Sequence, residues 1–472
     1  MITVTAGRTF LNAYNEKTKQ TLSAKEFFEK EFLEIFYNHP KYLMTGGNSP
    51  LENPKISWKK GERPNAENRK ERIKKTLQKI QSDAFDASVA LGFPASEHDV
   101  FQPTSGLVTD IPNQYLVDDK YFSWIGAGLS IGVEGAFLIL FDQPEILLKT
   151  FEGWKVYRQF LNDATLDRLS GNKITSWNGQ WLNYVYSADY REDFNYGSLD
   201  NLGVFKHDKE ETAIETIKWS VLFFNLSRKF SGRTFIGYVF SFGQMNKTLG
   251  FFPFIFNQAR KLILFYEKLF GENAAIQDAK IYEEMFGKLI KDACKLGSFG
   301  LQSLEPEGIK EYFHNDKMPN LSIPSLRKEI NETETEYNKK IEKNNNKYYE
   351  TKIIPFQTFK TWLLAMITKN NEELSDYTQN VAKAIYEYRE AYQKDKAGST
   401  KVTNTINNLL ASKSKRMFIE VLTEIISDKN FNETKIDILK ILRDEVHLMN
   451  SEDFGYFVVL LKFDYAYQVR NS

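Results

Sequence analysis

The sequence is poor in the features that mark secreted, disulfide-stabilised and zinc-binding proteins. Its single cysteine, Cys294, excludes an internal disulfide and a cysteine-rich zinc site, and fits a reducing compartment. The segment Met1–Thr5 lacks the basic start and apolar core of a signal peptide. Lysine and arginine number 62, as do aspartate and glutamate, so any contact with nucleic acid needs a local patch of charge. We therefore expect a cytoplasmic protein.

Motifs that carry catalysis are also scarce. The chain has neither a phosphate loop ending in Gly-Lys-Ser/Thr nor a His-Glu-x-x-His helix. Two His-Asp dipeptides, His98-Asp99 and His207-Asp208, leave open one alternative: a metal-dependent phosphohydrolase or nuclease of the HD type. Such enzymes need further ligands from separate helices. We expect a protein that is not an enzyme and that has no catalytic residue, metal site or cofactor.

The longest apolar run raises the question of a membrane helix. Between Tyr121 and Phe141 the only charged side chain is Glu134, and a membrane-spanning helix needs about 20 apolar residues. A carboxylate past the middle of such a span is costly. We therefore predict two buried helices without membrane contact, Ser123–Phe141 and Pro144–Leu161. The glycines that would let helices approach closely are Gly126, Gly128, Gly132 and Gly135.

Aromatic residues are abundant, with 37 Phe and 24 Tyr, which indicates large packed cores. The pattern predicts an α+β fold with a mixed, mostly helical N-terminal domain, a short β-hairpin region and a C-terminal all-α helical bundle. The first predicted element is a helix from Ser23 to Tyr42, because Ser23 and Glu26 have capping-box spacing. Asp189–Glu211 is polar enough for an exposed loop. Amphipathic helices are predicted at Asn257–Phe270 and Ala274–Ser298.

A β-hairpin is predicted from two segments rich in β-branched and aromatic residues, Arg233–Phe242 and Phe251–Phe256. The polar connection between them is suited to grip a nucleic-acid backbone, and an ordinary hairpin loop explains it equally well. A second polar loop, Thr104–Asn113, precedes the apolar run. The weaker candidates for RNA or DNA contact are Thr104, Ser105, Thr109, Asn113, Gln244, Asn246, Lys247 and Thr248.

One segment shows a pronounced excess of positive charge. From Lys55 to Lys79 ten basic residues stand against three acidic ones, a pattern typical of a phosphate-binding surface. A solvated helix face with ordinary ion pairs gives the same pattern. The preceding loop favours nucleic acid, because glycine lets backbone amides approach a phosphate and asparagine has a bidentate edge that suits adenine. The predicted DNA-binding residues are Gly46, Gly47, Asn48, Ser49, Asn53, Lys55, Lys59, Lys60 and Arg63.

A break in composition divides the chain. Residues 326–350 have few apolar side chains and runs of one polar type, which is typical of a solvated helix, a linker or a disordered segment. We predict a mixed α+β nucleic-acid-binding domain at 1–325, a polar linker at 326–350 and a helical bundle at 351–472. Apolar residues three or four apart predict bundle helices at Phe356–Thr368, Glu372–Lys394, Val402–Leu410, Arg416–Ile426, Ile436–Met449 and Ser451–Tyr467.

Three short motifs, in this order, resemble a known family. Gly46–Pro50 has the sequence Gly-Gly-Asn-Ser-Pro, Thr109–Tyr115 has Thr-Asp-Ile-Pro-Asn-Gln-Tyr, and Gly243–Thr248 has Gly-Gln-Met-Asn-Lys-Thr. Together with the helical C-terminus, this order resembles the large subunit of a type I-B CRISPR Cascade complex. Some members carry paired Cys-x-x-Cys zinc motifs, and this chain departs from them with its lone Cys294.

The resemblance implies a noncatalytic role in antiviral defence. The large subunit contacts the 5′ end of the guide crRNA, recognises the protospacer-adjacent motif in target double-stranded DNA, helps to unwind the duplex and recruits a helicase-nuclease. Its other partners are the backbone and small subunits of the ribonucleoprotein. The resemblance also implies that residues 351–472 correspond to a small subunit, which internal initiation at Met318 would produce separately.

Overall fold

The computed structural model describes residues 1–43, 65–81, 116–171, 174–241, 247–270, 283–306, 323, 325–329, 332–367, 374–392, 396–449 and 451–470. The chain forms two compact units. The first contains Met1–Arg260 and Leu289–Ser303, and the second contains Lys261–Lys288 and Leu304–Ser472. The domain boundaries at residues 325 and 350 stay a prediction.

Helices make up most of both units. Those of the first unit are α1 (Ile2–Thr18), α2 (Ala24–Phe27), α3 (Leu33–Phe36), α4 (Ala66–Gln81), α5 (Val117–Gly128), α6 (Pro144–Asn162), α7 (Ile174–Val185), α8 (Tyr196–Asn201), α9 (Trp219–Lys229) and α11 (Ile290–Lys295). A helix that begins in the first unit and ends in the second is α10 (Phe256–Phe270). Those of the second unit are α12 (Glu334–Tyr348), α13 (Ile354–Ile367), α14 (Leu374–Glu390), α15 (Lys396–Leu410), α16 (Lys415–Ile426), α17 (Ile436–Leu448) and α18 (Ser451–Arg470).

The first unit is built on an antiparallel sheet with the strand order β1-β2-β5-β6. Its strands are β1 (Ile131–Val133), β2 (Phe137–Phe141), β5 (Thr234–Ser241) and β6 (Lys247–Ile255). A separate pair joins β3 (Phe205–His207) to β4 (Thr212–Ile214). The sheet and the surrounding helices confirm the predicted α+β fold, and β5 and β6 confirm the predicted hairpin.

The two faces of the sheet differ in what covers them. On one face Leu138, Leu140 and Phe240 join the core built with α1, α5 and α6. On the other face Phe254 stacks on Phe299, with ring centroids 4.2 Å apart. The first face is therefore covered over β2, while its continuation across β5 and β6 carries the exposed residues described below.

The N-terminal helix α1 was not predicted, since the first predicted element began at Ser23. Its first half contains Thr, Val and Gly, which favour helix weakly. Tertiary packing overrides this preference. Gly7 of α1 lies against the backbone of Phe122, and Gly126 of α5 lies against the carbonyl of Thr3. Close helix approach at Gly126 is thus confirmed, and so is the capping box of Ser23 and Glu26, which begins α2.

The predicted helix Ser123–Phe141 is wrong. Helix α5 ends at Gly128, and the rest of the run forms the hairpin of β1 and β2. Gly135 and Ala136 have φ values of 75° and 61°, which a right-handed helix does not allow. Both strands are buried along their whole length, so they give a continuous apolar run that periodicity cannot separate from a buried helix. No helix in the described ranges has the length and apolar character of a membrane span.

Two further predictions need correction. Asp189–Glu211 is not only loop, because Asn195 caps α8 by accepting a hydrogen bond from the Ser198 N–H, and β3 follows. In the described part of the predicted helix Ala274–Ser298, residues 283–285 and the six residues of α11 are helical, and residues 286–289 between them are not. Gly287 and Gly297, with φ values of 101° and 79°, interrupt the helical path on both sides of α11.

The second unit confirms the predicted helical C-terminus, each predicted helix matching one of α13 to α18. In its core the Lys360 ammonium lies 2.6 Å from Oδ1 of Asp464, which joins α13 to α18. Helix α12 lies in the polar segment 326–350 and has no buried side chain, so this part of the segment is a solvated helix.

In the first unit, burial raises the pKa of Cys294 on α11 to about 11.

Candidate nucleic-acid interface

The structure describes only two of the predicted contact residues, Lys247 and Thr248. Both lie in the first residues of β6 and not in the connecting loop. The other predicted contact residues, as well as His98 and Met318, lie outside the described residues: Gly46, Gly47, Asn48, Ser49, Asn53, Lys55, Lys59, Lys60, Arg63, Thr104, Ser105, Thr109, Asn113, Gln244 and Asn246.

The described part of the basic run is the amphipathic helix α4. Ile80 is buried and Ile73 packs against the same core, while Lys70 and Lys74 are exposed. Both interpretations of the run, a phosphate-binding surface and a solvated helix face, fit this arrangement.

A hydrogen-bonded cluster fixes the backbone just before residue 44. The Arg158 guanidinium donates to the carbonyls of Ile35 and of Lys41, the latter at 2.9 Å. The Lys41 ammonium donates to the carbonyl of Asp167 at 2.7 Å. Burial and the charge of Arg158 lower the pKa of His39 to about 4. The side chains of Arg158 and Lys41 therefore hold this part of the backbone by donating hydrogen bonds to carbonyl oxygens. The imidazole of His39 beside them is neutral.

The ladder between β5 and β6 contains a bulge. Val239 pairs with Gly250, and the next residue, Phe240, pairs with Thr248, so Leu249 is the extra residue on β6. Because of the bulge, Thr248 shares a face with Tyr238, and the two side-chain hydroxyl oxygens lie 2.9 Å apart.

Next to the tip this face carries exposed apolar side chains. Phe251 is 61% exposed and Ile236 is 52% exposed. The ring of Tyr238 lies 4.9 Å from that of Phe251 and 5.0 Å from that of Phe240, centroid to centroid. We refer to Ile236, Tyr238, Thr248 and Phe251 as the hairpin face.

The hairpin lies within a long segment that has no carboxylate. Residues 216–266 contain neither Asp nor Glu, and sequence reasoning missed this second excess of positive charge because it looked for clusters of lysine and arginine. At the start of β5, Lys229 and Arg233 each lie 3.7 Å from the same carboxylate, Glu145. The basic residues of the segment are Lys218, Arg228, Lys229, Arg233, Lys247, Arg260 and Lys261.

His207, the described member of the two His-Asp dipeptides, is engaged with polar neighbours. Its Nε2 lies 2.7 Å from Oδ1 of Asp200, and its Nδ1 lies 3.1 Å from Oγ1 of Thr212. Across the described ranges, no group of three or more His, Cys, Asp or Glu side chains is placed to hold a metal ion.

One serine has the spacing of a nucleophile elbow, which sequence reasoning overlooked. Gly128–Gly132 has the sequence Gly-Leu-Ser-Ile-Gly, and in such an elbow the serine is exposed on a turn from strand to helix. Here helix α5 precedes Ser130 and strand β1 follows it. Ser130 is fully buried, and its hydroxyl donates to the carbonyl of Gly126 at 3.4 Å. This arrangement does not present a nucleophile to a substrate.

Comparisons with protein-family models, with curated proteins and with solved structures find no match to this chain. Its function therefore has to be inferred from its own residues and their geometry.

Proposed function

We propose that this protein is the noncatalytic large subunit of a type I-B CRISPR Cascade complex and acts in the cytoplasm. In this role it contacts the 5′ end of the guide RNA, recognises the protospacer-adjacent motif, aids unwinding and recruits a helicase-nuclease. The order of the three sequence motifs supports this assignment. The proposed contacts to the motif duplex are the predicted DNA-binding residues between Gly46 and Arg63.

The observation that carries the proposal is the hairpin of β5 and β6. Lys247 and Thr248 begin β6, beside an exposed aromatic face, and the sequence segment to which they belong, residues 216–266, contains neither Asp nor Glu. Lysine ammonium and threonine hydroxyl groups are common donors to phosphate oxygens. A polar hairpin with this composition is suited to contact the guide RNA.

Affinity purification of the tagged chain from its host, followed by sequencing of the co-eluting RNA, tests the proposal. We expect short RNAs that share one repeat-derived handle, together with companion subunits of the complex. Recovery of neither RNA nor companion subunits would contradict the proposed function.

Charge reversal separates the predicted contacts in the same experiment. We expect Lys247→Glu to lower the recovered RNA, because the tip would then repel the guide backbone. The matched control is Lys206→Glu, at an exposed position on β3 outside the carboxylate-free segment. The double variant Lys59→Glu/Lys60→Glu should retain RNA and lose affinity for motif-containing duplex.

A further inference from the structure

The most exposed aromatic ring of the hairpin face is Phe251. At 61% exposed it keeps a large apolar surface in water, and Ile236, 52% exposed, extends this surface on the neighbouring strand. Exposed apolar patches of this kind mark interaction sites. The ring of Tyr238 contacts Phe251 within the sheet, with centroids 4.9 Å apart and an interplanar angle of 45°. The outer part of the Phe251 ring is left to a ligand.

The position of Tyr238 is fixed from two sides. Its ring stacks on buried Phe240 at 5.0 Å and 30°, and its hydroxyl oxygen lies 2.9 Å from Oγ1 of Thr248. Phe251 therefore rests on a neighbour that is itself held in place. A ring held in this way offers a flat surface to a ligand at little further cost in conformational entropy.

The charges around the face favour an anionic ligand. Lys247 is exposed as the first residue of β6, next to Thr248, and the surrounding sequence, residues 216–266, has seven basic residues and no carboxylate. At the other end of β5 the Arg233 guanidinium lies over the ring of Phe235, 4.5 Å from its centroid, and therefore belongs to the opposite face of the sheet. A basic residue next to an aromatic surface suits a phosphate whose base lies on that surface.

The geometry of the hairpin face favours unpaired bases over the paired bases of a duplex. In a duplex the bases stack on one another and show only their edges in the grooves. Exposed aromatic side chains on an antiparallel sheet instead contact the flat faces of unstacked bases. We propose that the hairpin face binds single-stranded nucleic acid, with a base stacked on Phe251. This inference rests on the proposed function and names the form of nucleic acid that the same hairpin takes.

The test uses the full chain and three probes of one sequence: a short single-stranded RNA, the corresponding single-stranded DNA and the duplex. Affinities are measured by fluorescence anisotropy for the wild type, for Phe251→Leu and for Tyr467→Leu. Leucine keeps the apolar character of position 251 and removes the ring. Tyr467, 56% exposed on α18, is the matched control for loss of an exposed ring.

We expect Phe251→Leu to weaken single-strand binding by about 5- to 100-fold, the usual contribution of one stacked base. Duplex binding and the Tyr467→Leu variant should change less than about twofold, which is the effect of a surface substitution. Comparison of the RNA and DNA probes shows which strand the face prefers. The proposal is overturned if single-strand affinity does not depend on the ring at position 251, or if single-strand and duplex affinities fall equally. The first of these results would leave the face as a protein interface.

Two further measurements distinguish stacking from charge. A probe with 2-aminopurine should lose fluorescence on binding to the wild type and keep it with Phe251→Leu. Lys247→Gln should reduce the slope of log K against log salt by about 0.7, the value for one phosphate of a single strand, while Phe251→Leu leaves the slope unchanged.

Failure of this inference and failure of the proposed function give different results. If host RNA co-purifies with both the wild type and Phe251→Leu in equal amount, the Cascade role stands and stacking at Phe251 falls. If no RNA or companion subunit co-purifies but the purified chain binds single strands through Phe251, the stacking site stands and the Cascade role falls.

Discussion

At the scale of single residues, the charged side chain of Arg158 fixes the position of the backbone around it. The Arg158 guanidinium donates to the carbonyls of Ile35 and Lys41, so it fixes the chain at the end of α3 through carbonyl oxygens. Burial lowers the pKa of Arg158 to about 10, which still leaves it charged at neutral pH. Burial, together with the charges of Arg158 and Lys41, lowers the pKa of the adjacent His39 imidazole, which therefore stays neutral at neutral pH.

The stability of the protein should depend on His39 in mildly acidic solution. Burial and Arg158 lower the pKa of His39 to about 4, whereas in the unfolded chain it is about 6.5. The unfolded state therefore binds more protons between these values, and stability is present above pH 6.5 and is lost as the pH falls toward 4. His39 is half-buried, so the loss, after allowance for solvent screening, is about 1–2 kcal/mol at pH 4.

We expect His39→Asn to remove this loss. The asparagine Oδ1 can take the place of Nδ1, which accepts a hydrogen bond from the Lys41 N–H at 2.9 Å. Urea denaturation at pH 7 and pH 4 measures the free energy of unfolding, with His447→Asn, at an exposed position on α17, as the control. Parallel declines in wild type and His39→Asn would contradict the assignment of the loss to His39.

At the scale of secondary-structure elements, the contact of α1 with α5 depends on glycine at two positions. A Cβ at Gly7 would overlap the carbonyl oxygen of Phe122, and a Cβ at Gly126 would overlap that of Thr3. Each glycine therefore lets the backbone of the other helix approach. The position of α1 therefore depends on the close fit of its backbone against α5 as well as on the apolar area that the two helices bury.

Gly126→Ala should lower the free energy of unfolding by about 1–3 kcal/mol, because backbone atoms have to move apart to admit the methyl group. Gly455→Ala on α18 is the matched control, since a Cβ at that helical position meets no atom within 4 Å. Alanine favours helix over glycine, so the control should gain about 1 kcal/mol. Urea denaturation measures the free energy of unfolding of both variants. Equal changes in the two would contradict close packing at Gly126.

Elements with local signals were predictable from the sequence. The capping box of Ser23 and Glu26 began a helix as expected, and the apolar spacing located each C-terminal helix, although Lys396–Leu410 begins six residues before its predicted start at Val402. Helix α1 and the β1–β2 hairpin depended on tertiary packing. The weak helix formers of α1 are held by α5, and β1 and β2 are buried on both faces, so neither shows the period of its own structure.

The candidate site was predictable only in part. Lys247 and Thr248 were identified from their place between two strands. Strict alternation along β6 would put Thr248 and Phe251 on opposite faces, and only the bulge at Leu249 brings them to one face. Nor does the sequence show which face of β5 and β6 the helices leave uncovered. The absence of carboxylates over residues 216–266 was the available signal.

At the scale of the whole molecule, the division into two compact units implies that a local defect stays in its own unit. Lys360→Met would leave the Asp464 carboxylate, 2% exposed, without its cation in the second unit. Loss of one partner of a buried ion pair costs about 3–5 kcal/mol. Lys440→Met is the control, because the Lys440 side chain is 60% exposed and pairs with exposed Asp437 on α17.

Hydrogen exchange followed by mass spectrometry measures this separation. We expect Lys360→Met to speed exchange in peptides from α13, α14 and α18 and to leave α1 and α5 unchanged, whereas Gly126→Ala should do the reverse. Equal loss of protection in both units, from either variant, would show that the chain unfolds as one cooperative unit.

The half-buried setting of Cys294 has a practical consequence for labelling chemistry. With a pKa of about 11, its thiol has very little reactive thiolate at neutral pH. The chain has no other cysteine, so a cysteine introduced on the solvated helix α12, for example by Asn346→Cys, would react with a maleimide almost alone. Asn346 is exposed and α12 has no buried side chain, so a fluorophore at this position does not disturb packed side chains of the helix. The protein can therefore be labelled at one chosen position without prior removal of its own thiol.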